Sequence, residues 1–295
     1  MSTLYTQSEK NIYKTYLYLL GFALFIMGIG WMFSYIYEDV TILYIALVIA
    51  FVSSFYSYWN SDKMVLRISK ARPATKEEYP ELHRITENLA ISNGLPKPKL
   101  YVLDEAQPNA FATGRNPENG VIAVTTGLLE VLERAELEAV IAHELGHIGN
   151  NDILITSIVV VLVGTVVLIA DFFVRMAFYG RGNNKGGLPI MLIALAFMIV
   201  APIMALLMKL AISRKREYLA DSTAALTTRY PEGLASALEK ISKDPRQIST
   251  ASDATAHLYI ANPFRGKEAK SWFRKLFMTH PPIEERIKKL RELDV

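Results

Sequence analysis

Cysteine is absent from the 295 residues, and that one absence excludes disulfides, thiolate nucleophiles and thiolate-bound metals together. It permits a reducing compartment and leaves any metal to be held by histidine and carboxylate alone. Histidine is itself scarce, with five in the chain, so a place where two fall close together carries weight. The formal net charge is only +3, too small an excess to call for a nucleic-acid partner. What the chain has in plenty is apolar surface. Hydrophobic residues make up 51% of it and the mean hydropathy is +0.21, too apolar for an ordinary soluble domain. The balance points to a membrane protein with a soluble part.

The apolar residues fall into four uncharged runs. Residues 16–37 carry no charge and as a helix would extend about 33 Å, enough to cross a bilayer. This run is longer than a signal-peptide core and lacks a small-residue cleavage site, so it reads as a retained anchor. Glu38 and Asp39 make a short turn into residues 40–61, also uncharged, with Tyr56, Tyr58 and Trp59 placed as an interfacial belt. Residues 153–170 and 188–208 form a second pair, with Pro189 at the start of the latter run and Pro202 as an expected kink within it. That pair reads either as a membrane hairpin or as two long helices buried in a soluble core. On the first reading the chain divides into an N-terminal transmembrane hairpin (1–61), half of a soluble domain (62–152), a second transmembrane hairpin (153–212) and the other half of the soluble domain (213–295).

The soluble stretches mix helix and sheet. Thr75, Lys76, Glu77 and Glu78 have capping-box spacing and predict a helix to about Ser92, closed by Asn93 and Gly94. His83 lies on it as a surface or packing residue. Residues 99–103, 109–114 and 121–125 predict three strands, the last two joined by the turn-rich stretch 115–120. A further helix runs from about Glu133 to Gly149 and Asn150, and a charged, alanine-rich one starts at Arg214. Trp272, Phe273, Leu276 and Phe277 alternate with Lys270, Arg274 and Lys275 on an amphipathic helix that packs on its own domain or lies in the lipid interface. Pro281 and Pro282 open a last helix, whose Glu284 and Glu285 precede Lys288 and Lys289 as the macrodipole favours.

The chemistry stands on the helix that begins near Glu133, at His143, Glu144, Leu145, Gly146 and His147. One helical turn separates the two histidines, so both imidazoles can reach one ion, and Glu144 lies beside them where it can touch a water in the open position. Leu137, Val140, Ile141, Leu145 and Ile148 form an apolar stripe that anchors the segment. A catalytic zinc needs a third protein ligand, and Asp152, Glu217, Glu232, His257 and His280 are the candidates. Asp152 is too close along the chain to swing back easily. Glu217 has the best surroundings, because Asp221 follows one turn later, placed to accept a proton from a ligating histidine. His147 and Glu217 flank the third and fourth runs, so two spans between them return the chain to one side. Lys10, Lys14, Lys63, Arg67, Lys70, Arg72, Lys209, Arg214, Lys215 and Arg216 fall on that side, against Arg175, Arg181 and Lys185 on the other. The positive-inside rule makes the first side cytoplasmic.

With these residues in view, the chain resembles the HtpX-type membrane zinc metalloproteases, gluzincins related to the CAAX prenyl proteases. The likeness rests on Asn109, Ala110, Phe111, Ala112, Thr113 and Gly114; on residues 143–147 with Asn150 and Asp152; on residues 213–217 with Ala220 and Asp221; and on Thr279, His280, Pro281 and Pro282. It covers nearly the whole chain. It implies an α+β fold, a gluzincin-like zinc protease domain of helices and a small three-stranded sheet with four transmembrane helices. It also implies one zinc ion (Zn2+) held by His143, His147 and Glu217, Glu144 as catalytic base, and proteolysis of membrane proteins in quality control. The expected partners are polypeptide substrates, chiefly membrane proteins, and the lipid bilayer. Residues 109–113 would form an edge strand that pairs with an extended substrate, and His280, Arg214 and Arg216 are candidate donors to the oxyanion. A prenyl-protein protease would share the zinc chemistry but its relatives carry more spans, while a non-catalytic zinc-containing binding protein would have no use for Glu144. Glu133, Arg134, Glu136 and Glu138 lead into the motif, which argues against a site inside a transmembrane helix.

Overall fold

Two long apolar helices lead the chain in the computed structural model, which describes residues 4–162, 214–251, 255–264 and 281–293. Helices α1 (Leu4–Tyr37) and α2 (Thr41–Ile68) reverse at Glu38, whose φ of 53° lies in the left-handed region that such a turn requires. Each is long and apolar enough to cross a membrane, over Asn11–Met32 and Thr41–Ile68. Leu17, Leu20, Leu24, Phe51, Val52 and Phe55 remain exposed, as apolar side chains facing lipid do. The helices approach closely where Gly30 meets Ala46, since a Cβ at Gly30 would fall 2.2 Å from the Cβ of Ala46.

The sheet has four strands rather than three. β1 (Arg72–Pro73) pairs antiparallel with β2 (Lys99–Leu103), which runs parallel to β4 (Val121–Thr125), and β3 (Ala110–Thr113) closes the order β1-β2-β4-β3 antiparallel to β4. The extra strand is two residues long, too short to leave an alternating pattern, and its Pro73 sits on an edge where a missing donor does no harm. The β3–β4 hairpin turns through Pro117–Asn119, with the Asn119 amide donating to the Asn116 side chain at 3.1 Å. Helix α3 (Pro80–Ser92) starts five residues later than its capping-box letters suggest. Thr75 does accept from the Glu78 amide at 3.3 Å, but only within a turn. Pro80 has no N–H and its ring would clash with the carbonyl four residues back, so the helix begins at it. The other end is as expected: Gly94 has φ 63° and the Leu95 amide returns to the Ala90 carbonyl at 2.9 Å.

After α4 (Thr126–Val131) comes α5 (Arg134–Gly149), the helix at the centre of the core. It packs on α3 and β3, and on α7 (Arg214–Thr228) and α8 (Pro231–Lys243), while α9 (Ile283–Arg291) lies across α7 and α8. Leu137, Val140, Ile141, Leu145 and Ile148 are all buried. Past Asn150 the chain bends by 82° into α6 (Asp152–Leu162). The described turns of α6 are buried against the protein, with Ser157 Oγ 2.7 Å from Thr113 Oγ1. The remainder of the third apolar run, all of the fourth, and the amphipathic segment 270–277 lie outside the described residues. Among the described residues, α1 and α2 are the unbroken helices long and apolar enough to cross a membrane.

Glu136 locks the start of α5 in place. Its carboxylate accepts from the Glu133 amide at 2.8 Å, Ser236 Oγ at 2.5 Å and Lys240 Nζ at 2.8 Å. Burial pushes this carboxyl up, but those donors outweigh it and hold it below the ordinary carboxylate value. A depressed value contributes stability that is present at neutral pH and lost as pH falls through it. We expect Glu136→Gln to lower the unfolding temperature at pH 7, with the gap from wild type closing as pH falls below about 4. A gap that stays constant across that range in thermal melts would show that the charge of Glu136 contributes nothing.

Candidate metal centre

Helix α5 presents His143 and His147 on one face, and α7 brings Glu217 up to them. One ligand atom from each of the three lies within 4.8 Å of the others. His147 Nε2 is 3.6 Å from Glu217 Oε1, His143 Nε2 is 3.9 Å from Glu217 Oε2, and the two Nε2 atoms are 3.2 Å apart. The small residues at the helix crossing allow this. A Cβ on Gly146 would come within 3.3 Å of Ala220 Cα, so a larger residue between the histidines would push Glu217 away.

Each imidazole is held through its other nitrogen. His143 Nδ1 lies 3.0 Å from Asp221 Oδ1, and His147 Nδ1 lies 3.0 Å from Asp152 Oδ2. Nε2 is then the nitrogen left to face Glu217 in both rings. Behind each carboxylate stands a buried guanidinium. Arg286, on α9, grips both oxygens of Asp221, Nη2 to Oδ1 at 2.6 Å and Nε to Oδ2 at 3.0 Å, and donates from Nη1 to the Ile260 carbonyl at 3.2 Å. Arg216, on α7, brings Nε to 3.4 Å from Asp152 Oδ1 and donates from Nη1 to Asn11 Oδ1 at 2.8 Å. The site thus repeats one device, His143–Asp221–Arg286 and His147–Asp152–Arg216.

These surroundings drive the two histidines apart. Burial pushes His143 down to about 4 despite the Asp221 carboxylate, with Arg286 and His147 adding to the fall. Burial also pushes His147 down, but the Asp152 hydrogen bond and the charges of Glu217, Asp152 and Glu144 overcome it and lift the group to about 9. Asp221 is opposed by burial too, and the guanidinium of Arg286 with His143 keeps its carboxyl below the ordinary value.

The donor set fits a divalent metal. Two imidazoles and a glutamate are a known ligand set for hydrolytic zinc centres. Charge agrees. Among the described residues, Glu144, Asp152, Glu217 and Asp221 are buried around the imidazoles, with Arg216 and Arg286 as the buried guanidinium groups beside them. With all six ionised and both imidazoles neutral, as ligation requires, two negative charges remain, the charge of one divalent cation, and buried charge left unpaired is costly.

The other candidates fall elsewhere. Asp152 belongs to the centre, as the partner of His147 Nδ1. Glu232 lies on the surface, paired with Arg291 at 2.7 Å, and His257 is buried in the segment 255–264 outside the group of three. His280 lies outside the described residues. Arg214 is exposed at the first turn of α7, and Arg216 is committed to Asn11 and Asp152. Asn109, Ala110, Phe111, Ala112 and Thr113 do run along the sheet edge, yet all five are buried, so the edge is not open along its length. The Ile260 amide donates to the Ala110 carbonyl at 2.9 Å, while the Asn109 side chain donates to the Ala261 carbonyl at 3.0 Å and accepts from its amide at 3.3 Å. The chain's own residues 260–261 cover that end.

Two contributors escape a reading of the sequence. Arg286 carries a signal in hindsight, since Ile283, Arg286, Ile287 and Leu290 share one helical face and a charge stands inside an apolar stripe. Asn11 carries none, being one polar residue in a polar leader.

A helix-borne His-His-Glu centre in a helix-rich fold with a small sheet defines the class of metallopeptidases. The chain belongs to Peptidase family M48, whose family profile matches residues 76–294. Its relatives sharpen this. A "Protease HtpX homolog" from Thermoanaerobacter pseudethanolicus is 44% identical over 299 residues, 99% of this chain and 98% of that one. Another, from Pyrococcus furiosus, is 48% identical over 252 residues, 84% of this chain and 86% of that one. Among solved structures, Ste24p of S. mikatae is 21% identical with a TM-score of 0.48, covering 94% of this chain and 66% of that one. The chain is a membrane metalloprotease.

Removing Arg286 would leave Asp221 buried without a counter-charge, a loss on the order of 3–5 kcal/mol. Arg286→Met is expected to lower the unfolding temperature of metal-free protein and to loosen the metal. Arg286→Lys should recover little, because an ammonium cannot engage both oxygens of Asp221 as the guanidinium does. Unaltered melting and metal retention in the Met variant would refute this role.

Proposed function

We propose that the chain is a zinc-dependent endopeptidase that cleaves misfolded or damaged membrane proteins at the cytoplasmic face of the cell membrane, in protein quality control. The observation that carries this reading is the contact between Asn11 and Asp152. Asn11 is the first residue of a candidate span, and its Nδ2 is 2.8 Å from the Asp152 carboxylate that holds His147. One carboxylate therefore separates the end of a membrane helix from the metal centre, which supports a site at the bilayer surface. Lys14, Lys63, Arg67, Lys70 and Arg72 cluster at the same ends of α1 and α2, which supports a cytoplasmic setting.

His143, His147 and Glu217 would hold the ion. When bound, zinc supplies Lewis acidity, bringing the pKa of a bound water toward ~7 and polarising the scissile carbonyl. Glu144 accepts the proton of the attacking water at its carboxylate and delivers it to the leaving amine. It is buried, and its charge is felt by both His147 and Arg286, so the proton moves in an enclosed space. Asp221 and Asp152 keep Nδ1 of each histidine engaged. Along β3, alternate residues face the same way; Ala110 faces away from β4 toward Ile260, and so Ala112 does too. Its N–H and C=O are the groups an extended substrate backbone would meet, a mode of recognition with little sequence selectivity. Access then sets specificity. An intact helix in the bilayer has its peptide groups bonded internally and no water at hand, so the substrates are loops or unfolded segments near the headgroups.

Glu144→Gln should retain zinc and lose nearly all cleavage of casein, since the amide keeps the shape but takes no proton. Metal analysis after mild chelation should show Glu217→Ala depleted and Glu232→Ala not; equal retention would move the third ligand elsewhere. Cut sites mapped by mass spectrometry in a model membrane substrate should cluster in its cytoplasmic loops. Cuts at mid-bilayer or outer positions would overturn the topology.

A further inference from the structure

We propose that the N-terminal membrane helix is a working part of the metal centre, with Asn11 as a positioning residue that acts on His147 through Asp152. This rests on the metal-site reading above. Asn11 is buried and uses its amide in both senses. Nδ2 donates to Asp152 Oδ1 at 2.8 Å and to the Asn150 carbonyl at 3.1 Å, while Oδ1 accepts from Arg216 Nη1 at 2.8 Å. Arg216 Nε approaches the same Asp152 oxygen at 3.4 Å, so Asn11, Arg216 and Asp152 close a triangle. The free oxygen of that triangle, Asp152 Oδ2, is the one on His147 Nδ1.

The residue type matters. A site that must donate to a carboxylate and a carbonyl while accepting from a guanidinium needs an amide. Leucine would satisfy none of these partners, and aspartate would set a second carboxylate against Asp152. The location matters as well. Asn150 and Asp152 bracket the 82° bend between α5 and α6, so the Asn11 amide pins the end of the motif helix, the carboxylate behind His147 and the Glu217 helix to one point on α1. An anchor that served only to hold the protein on the membrane would have no need of a buried amide in this position. Thr15, one turn further along α1 and also buried, bonds within its own helix, Oγ1 to the Asn11 carbonyl at 2.9 Å, and is the natural control.

The test is zinc affinity by chelator competition on the full-length protein in detergent, with thermal melts of each metal-free variant. Asn11→Leu and Asn11→Asp are expected to bind zinc on the order of 10–100-fold more weakly, the usual cost of losing a partner behind a ligand, and Thr15→Val to match wild type. Asn11→Ser, which keeps a hydroxyl in the pocket, replaces the Leu variant should that one fail to fold. The decisive measurement is made in an Asp152→Asn background. A residue that acts through Asp152 should then lose its effect on affinity, whereas a merely structural contact would subtract the same amount again. Additive losses, or Asn11 variants that fold and bind zinc as wild type does, overturn the proposal. A Glu217→Ala variant that still binds zinc as tightly as wild type would overturn the metal-site reading instead.

Discussion

A histidine that gives one nitrogen to a cation must have its other nitrogen held, and in this protein both are held by carboxylates that are themselves buried. That requirement organises what surrounds it. A carboxylate out of water needs a counter-charge with good geometry, and the two that serve here come from different places. Arg286 reaches Asp221 from α9, near the end of the chain, while Arg216 reaches Asp152 from the same helix as Glu217. The guanidinium behind Asp221 also takes the Ile260 carbonyl, and residues 260–261 in turn lie along β3. Holding one imidazole therefore fixes α9, a loop and one end of the sheet edge.

The apolar core makes this affordable in geometry by keeping helices close. Gly146 sits between the two histidines and faces Ala220, between Glu217 and Asp221. Small residues on both sides let one turn of α5 meet one turn of α7, with Glu217 and Asp221, the carboxylate that holds His143, on the same face of α7. The rest of α5 is buried on nearly every side, so the helix cannot rotate to relax a strained contact. Rigid packing and charge pairing act on the same few residues, which is how a centre drawn from distant parts of the sequence comes to lie within 4.8 Å.

Much of this could be read from the chain. Two histidines one turn apart with a glutamate between them, and Glu217 followed by Asp221 at the same spacing, are periodic signals within single helices, and the structure brings His143, His147 and Glu217 together in a group that could hold a metal ion. The β3–β4 hairpin was legible from its turn residues and the end of α3 from Gly94. What was not legible depends on contacts between segments far apart. Residues 260–261 covering part of β3 left no mark on the pattern of β3 itself. Arg286 stands among other charges on a short helix, and its burial depends on contacts with segments far away in the chain. Asp152 is the more instructive case. Its nearness to His147 along the chain argued against its being a ligand, and the same nearness, combined with the bend after Asn150, is what lets it reach Nδ1. Pro80 shows the opposite error, where a local capping signal at Thr75 was overruled by a stronger local rule five residues on.

The membrane enters through the same polar contacts. Hydrolysis of a peptide bond consumes water, and the hydrocarbon interior holds none, so a hydrolytic centre needs either a position near the membrane surface or a water-filled space within the protein. A polar side chain on a membrane helix is costly in lipid and stable only where its partners are provided. Asn11 stands at the first residue of the candidate span, and its partners are Asp152, the Asn150 carbonyl and Arg216. Sliding α1 by a single turn, about 5.4 Å, would strand all of them: the amide without its acceptors, the guanidinium without its own, and the carboxylate behind His147 with one donor fewer. The position of α1 against the rest of the protein and the geometry of the His-His-Glu cluster are therefore tied by one network.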